Sequence, residues 1–252
     1  RIQNIFQTRS EKVIPYLTAG YPSKKDTVSL VLEAESAGAA MVELGMPFSD
    51  PLADGPVIQT SSQIAIENGV TISWILKTVS EIRKQSEIPI ALMGYINPII
   101  KYGLHQFISE CKNSGVDGLI IPDLPPEEAG KYVDSAKKNE ISPILLVAPN
   151  TQDKRIREIS QLAETLIYCV AILGVTGGKV AEGIELKKYL KRVEENCECP
   201  FVAGFGIKER ADVIEINKLA HGVVVGTAII EKLKNSIEPV RTIREYIQEL
   251  IK

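Results

Sequence analysis

Two histidines, His105 and His221, and four cysteines are all the imidazole and thiol that 252 residues contain. So small a stock rules out a histidine-rich metal site. Cys111, Cys169, Cys197 and Cys199 follow neither a disulfide framework nor a zinc spacing, and Cys197-Glu-Cys199 is too tight for a Cys-x-x-Cys redox motif. Free thiols in a reducing compartment are the expectation. Long apolar runs are missing too: the longest, 222–230, falls far short of the roughly 20 residues that cross a bilayer. Residues 1–10 hold no secretory apolar segment, which points to the cytoplasm. Nor does one sign of charge dominate. Lys and Arg number 29 against 32 Asp and Glu, and a net charge of −3 argues against a dedicated nucleic-acid surface.

What is present is an alternation. Hydrophobic residues make up 44 % and charged ones 24 %, the composition of an ordinary globular chain. Apolar β-rich runs at 13–17, 40–44, 90–93, 118–121, 143–147, 166–170, 201–203 and 222–225 are separated by charged amphipathic stretches. One such stretch, 24–37, carries Val28, Val31 and Leu32 on a single stripe, and Pro125-Pro-Glu-Glu128 reads as the opening turn of another helix. Eight runs apolar on both faces, each followed by helix, predict a single (β/α)8 TIM barrel over 1–252, with an extra N-terminal helix and an inserted loop and helix after the second strand. A doubly wound open sheet would call for Gly-x-Gly-x-x-Gly after its first strand, and Thr18-Ala-Gly-Tyr-Pro22 is not that. No linker, composition break or strong internal repeat divides the chain.

Within the second apolar run stands Glu43, flanked by Val42 and Leu44. Burial would hold it protonated and bring its pKa toward neutrality, the range useful for proton transfer. The competing reading is a structural carboxylate bonded to backbone amides. Asp54, in Ala-Asp-Gly-Pro56, is either a turn former or a second reactive carboxylate in a wetter setting. Barrel enzymes carry their chemistry at the C-terminal ends of the strands, and glycine-bearing loops follow strands six, seven and eight there: 174–178, Gly204-Phe-Gly206 and Gly226-Thr227. Three at one rim favour a phosphate ligand, with Thr227 adding a hydroxyl donor. Tyr16, Tyr168 and Phe205 could wall the apolar part of a substrate, or be packing residues only. No strand end carries a lysine, so a Schiff-base aldolase is disfavoured. No metal is expected, although the residues leave open a divalent ion on Glu43, Asp54 or Asp123.

Blocks along nearly the whole chain resemble the tryptophan synthase α subunit family. They include Pro15-Tyr-Leu-Thr-Ala-Gly-Tyr-Pro22, the very specific Val42-Glu-Leu-Gly-Met-Pro-Phe-Ser-Asp-Pro-Leu-Ala-Asp-Gly-Pro56, Leu92-Met-Gly-Tyr-Ile-Asn-Pro98, Pro122-Asp-Leu-Pro-Pro-Glu-Glu128, Gly174-Val-Thr-Gly177, Gly204-Phe-Gly-Ile207 and Val225-Gly-Thr-Ala228. The resemblance implies a lyase that cleaves indole-3-glycerol phosphate to indole and D-glyceraldehyde 3-phosphate. It carries the catalytic pair onto Glu43 and Asp54, the phosphate contacts onto Gly177, Gly206, Gly226 and Thr227, and the site lining and lid onto Tyr168 and Thr176. It further implies an α2β2 complex whose β subunit holds pyridoxal phosphate, with no cofactor in this chain. The docking face would include the 46–56 loop, Asn97-Pro98 and Pro125-Pro126, and the loops after strands two and six would be mobile until ordered by substrate or partner. Where the family has serine this chain has Thr227, and Gly178-Lys179 stands for a frequent Ala-Arg. Two alternatives stand beside the lyase: a subunit that mainly activates its partner, and another barrel enzyme acting on phosphorylated sugars, such as an isomerase.

Overall fold

Valine, isoleucine and leucine hold most strand positions, where branched side chains suit a sheet buried on both faces. The computed structural model describes residues 1–8, 10–170, 184–204 and 206–252. Its strands are β1 (Val13–Thr18), β2 (Val42–Gly45), β3 (Ile90–Met93), β4 (Gly118–Ile120), β5 (Ser142–Val147), β6 (Ile167–Val170), β7 (Phe201–Gly204) and β8 (Val223–Val225). Each pairs in parallel with the next, and β8 returns to β1 through Val13 opposite Val223, closing the barrel. The expected (β/α)8 architecture is therefore the observed one. β2 starts two residues later than the apolar run and extends to Gly45; Ala40 N already donates to Val13 O at 3.0 Å, so the approach is fixed before the ladder begins.

The extra N-terminal helix is a single short turn, Ile2–Ile5, whose Ile2 is 1 % exposed. Ile2 fills the N-terminal mouth: a Cβ added at Gly118 would meet its Cδ1 at 2.8 Å. The insertion after β2 is a loop over 46–55 and the helix Pro56–Glu67, with proline in the first turn where its missing N–H costs nothing. The helix Ile72–Arg83 follows, and the Thr71 hydroxyl accepts from Trp74 N at 3.2 Å as its cap. The 24–37 stretch divides into a 3-10 turn, Lys24–Asp26, and the helix Thr27–Ser36.

One expectation needs correcting. Pro125 to Glu128 do not open a helix. Glu128 N and Ala129 N both return to Pro125 O, closing one turn, and the helix proper is Gly130–Lys138. Glu127 is drawn across to Arg155 of the helix Asp153–Ala163 instead of serving its own first turn. At the N-terminal end of the barrel, buried Asp117 accepts from Arg83 at 2.6 Å, Ile90 N at 2.8 Å and Arg1 at 2.9 Å. That ties β3, β4 and the helix Ile72–Arg83 together, and removing one member of such a buried pair costs about 3–5 kcal/mol.

Candidate functional site

Inward-facing side chains of neighbouring parallel strands lie side by side, and the register sets Glu43 between Tyr16 on β1 and Ala91 on β3. Glu43 is 1 % exposed, and among the described residues its Oε1 has no hydrogen-bond partner. An orphaned buried carboxyl oxygen is costly unless the group is neutral or waiting for a ligand. Burial first, and the negative charge of Asp54 second, push the Glu43 carboxyl up to about 8, so at neutral pH it carries its proton.

Asp54 comes from the 46–55 loop folding back over the C-terminal end of β2. Its amide donates to Pro51 O at 3.0 Å, and Gln59 from the next helix donates to its carbonyl at 2.9 Å. Burial raises its carboxyl to about 6, opposed by a hydrogen bond from the Tyr95 hydroxyl. The Tyr95 oxygen in turn accepts from Ala53 N at 3.0 Å, so this one side chain holds both the loop and its carboxylate. At pH 7 the two carboxyls differ: Glu43 is an acid and Asp54 an anion.

Both face a cavity of about 300 Å³ that Gly206, Gly226 and Thr227 also line. The helix Thr227–Lys234 begins there. Ile229 N and Ile230 N both return to Gly226 O, at 3.0 and 3.1 Å, so the amides of Thr227 and Ala228 precede the helical ladder and, with the helix dipole, suit an anion. Gly206 holds a left-handed φ of +63°. Tyr16 and Tyr168 wall the cavity, and each phenol rests on a glycine: a Cβ at Gly45 would meet Tyr16 Oη at 2.1 Å, and one at Gly204 would meet Tyr168 Oη at 2.4 Å. Burial, reinforced by the two carboxyls, raises both phenols far above their usual range and keeps them neutral.

Of the residues expected at the site, Tyr16, Glu43, Asp54, Tyr168, Gly206, Gly226 and Thr227 come together around this one cavity. Thr176, Gly177 and Phe205 lie outside the described residues. Asp123 does not join the carboxyl pair; it accepts from Ile96 N at 3.0 Å and opens the helix Ile96–Tyr102. Among the described residues no three His, Cys, Asp or Glu side chains are grouped so as to hold a metal ion. The sequence alone points to no role for Tyr95, within Leu92-Met-Gly-Tyr-Ile-Asn-Pro98, or for Lys208, which lines the cavity beside Gly206. Neither carries a local signal, because each acts across the fold.

Fold and site define a class: a (β/α)8 barrel with an acid and a carboxylate at the C-terminal mouth and, lining the same cavity, a helix start with free amides suited to an anion. A family model described as tryptophan synthase alpha chain matches residues 2–251. The tryptophan synthase alpha chain of Petrotoga mobilis is 42 % identical over 246 residues, spanning 97 % of this chain and 95 % of that one. The alpha chain of Clostridium kluyveri is 44 % identical over 243 residues, spanning 95 % and 92 %. Among solved structures, tryptophan synthase subunit alpha from Legionella pneumophila superposes with a TM-score of 0.91 at 33 % identity, covering 99 % of this chain and 96 % of that one. A structure of the tryptophan synthase α2β2 complex from Pyrococcus furiosus, concerned with mutual activation, gives 0.89 at 35 % over 96 % and 98 %. The chain belongs to the tryptophan synthase alpha chain family, and so to the enzymes of tryptophan biosynthesis.

Proposed function

We propose that this chain, acting as one catalytic unit, cleaves indole-3-glycerol phosphate to indole and D-glyceraldehyde 3-phosphate. The observation that carries the reading is the buried, protonated Glu43, one oxygen of which has no partner among the described residues, facing the same cavity as an ionised Asp54. Glu43 gives its proton to indole C3, and Asp54 accepts a hydrogen bond from the ring N–H and stabilises the positive charge that protonation creates. Glu43, now a carboxylate, takes the proton from the side-chain hydroxyl next to the scissile bond. The carbonyl forms, the C–C bond breaks, and its electrons return to the ring. Glu43 ends as it began, and the ring itself is the electron sink, so the reaction draws on no cofactor in this chain.

The phosphate would sit on the amides of Gly206, Gly226 and Thr227, with Gly177 as a further contact by family likeness and Thr176 in the lid, while Tyr16 and Tyr168, and Phe205 by the same likeness, wall the apolar part. A β subunit carrying pyridoxal phosphate would consume the indole in an α2β2 assembly, working in the cytoplasm. Support for the docking face comes from Leu52, 79 % exposed on the loop that bears Asp54, which lines one cleft with Phe48, Tyr95 and Pro122. Apolar side chains grouped in this way suit a partner's surface.

The test is single-turnover release of indole from indole-3-glycerol phosphate by Glu43→Gln and Asp54→Asn chains. Glu43→Gln should lose at least on the order of 100-fold, the contribution of a positioned proton donor. An active Glu43→Gln chain refutes the mechanism. Release of no indole by the unsubstituted chain, with the β subunit still stimulated, would make the partner-activating reading the correct one.

A further inference from the structure

On the far side of the barrel from this cavity, the tripeptide Cys197-Glu198-Cys199 joins the helix Ile184–Asn196 to β7, and its geometry is that of a reactive pair. The two sulfurs lie 3.7 Å apart, and the Cys197 thiol donates to Cys199 O at 3.0 Å, so the bend already turns both side chains to the same side. Ser160, 2 % exposed on the helix Asp153–Ala163, sits beneath them. Its oxygen accepts from Glu198 N at 2.8 Å, which leaves its own hydrogen to donate to Cys199 Sγ at 3.7 Å. Cys197 is half-buried and reachable from solvent, while Cys199 is 8 % exposed behind it.

We infer that Cys197 and Cys199 are a redox-active dithiol that closes to a disulfide within the tripeptide, with Ser160 as its hydrogen-bond donor. This departs from the expectation, drawn from spacing alone, that one intervening residue is too few. The sulfurs need approach by only ~2 Å to bond, and the bend has paired them beforehand. The oxidant is a low-molecular-weight disulfide. The Cys197 thiolate attacks one of its sulfurs and releases one thiolate. Cys199, losing its proton, attacks the Cys197 sulfur and expels the second half. Two protein thiols become one disulfide, the small disulfide becomes two thiols, and these carry both protons. The Cys199 thiol, by hydrogen bonding, draws Cys197 below the ordinary thiol range, which favours it as the attacking member. Cys111 and Cys169 supply the contrast within the same chain: both are 0 % exposed, and burial pushes their thiols well up.

The experiment exposes the native full chain to glutathione disulfide near neutral pH, quenches it with acid, and reads intact mass and peptide maps. The expected product has lost two hydrogens, is cross-linked between Cys197 and Cys199, and keeps Cys111 and Cys169 free for alkylation after unfolding. A Cys199→Ser chain should stop at a glutathione adduct on Cys197. Ser160→Ala should close about threefold more slowly: losing a hydrogen bond to a thiolate cuts the thiolate fraction about tenfold, and the more basic thiolate recovers part of that through its higher nucleophilicity. A native chain that stays reduced under these conditions, or that halts at a stable adduct, overturns the inference. So would cross-linking that runs through Cys111 or Cys169.

Discussion

Replacing Tyr95 by phenylalanine removes one hydroxyl and isolates the bond that keeps Asp54 ionised. That hydroxyl opposes the upward push of burial on the carboxyl, which stands at about 6. A hydrogen bond to a charged group contributes about 1.5–3 kcal/mol, and because Asp54 is only partly buried the lower end applies. About 1.4 kcal/mol is one pH unit, so in Tyr95→Phe the Asp54 carboxyl should rise from about 6 to about 7. The plot of kcat/KM for indole release against pH reports the free enzyme's acid and base. On the proposed mechanism its acid limb should belong to Asp54 and its alkaline limb, near 8, to Glu43. At pH 6 the ionised fraction of Asp54 falls from about one half to about one tenth, a roughly fivefold loss of kcat/KM, whereas at pH 8 the two chains should nearly coincide. An acid limb that stays in place refutes the reasoning. So does a loss of equal size at every pH, which would mean that Tyr95 positions the loop without setting the charge on Asp54.

Stability should also depend on Glu43. Between pH 4.5, its ordinary value, and about 8 the folded chain holds a proton there that the unfolded chain has released, so stability falls as pH rises through that window. Glu43→Gln should raise the urea midpoint at pH 7, by on the order of 3 kcal/mol in free energy, and meet the unsubstituted chain below pH 4.5; a gap of the same size at both pH values would rule the cause out. Gly45→Ala would put a methyl group 2.1 Å from Tyr16 Oη. Overpacking of this kind costs about 1–3 kcal/mol and should swing the phenol into the cavity, read as a higher KM and a lower urea midpoint together.

The strands were legible because short runs of branched apolar residues bounded by glycine, proline and aspartate have few other structures open to them. Glu43 was legible for a related reason: a charge inside such a run contradicts its surroundings, and contradictions of that kind mark function. Asp54 was less so. Its loop sequence fits a plain turn, and what makes it unusual is the hydroxyl of Tyr95, brought in from beyond the next strand. Lys208 is one more surface lysine until the barrel closes and sets it beside Gly206. Misreading 125–128 as a helix start has the same origin, since local rules give Pro-Pro-Glu-Glu a first turn and cannot foresee that Glu127 answers to Arg155. Cys197 and Cys199 are free thiols, as expected, but the count of residues between them says nothing of the bend that sets their sulfurs 3.7 Å apart.

With Glu43 neutral and Asp54 negative at rest, the cavity is electrically lopsided, repelling anions around Asp54 and attracting them at the helix start that follows β8. A molecule with a flat ring at one end and a doubly charged group at the other therefore meets a torque before it meets a contact. The field favours the pose that sets the charged group on the helix start over the reversed one.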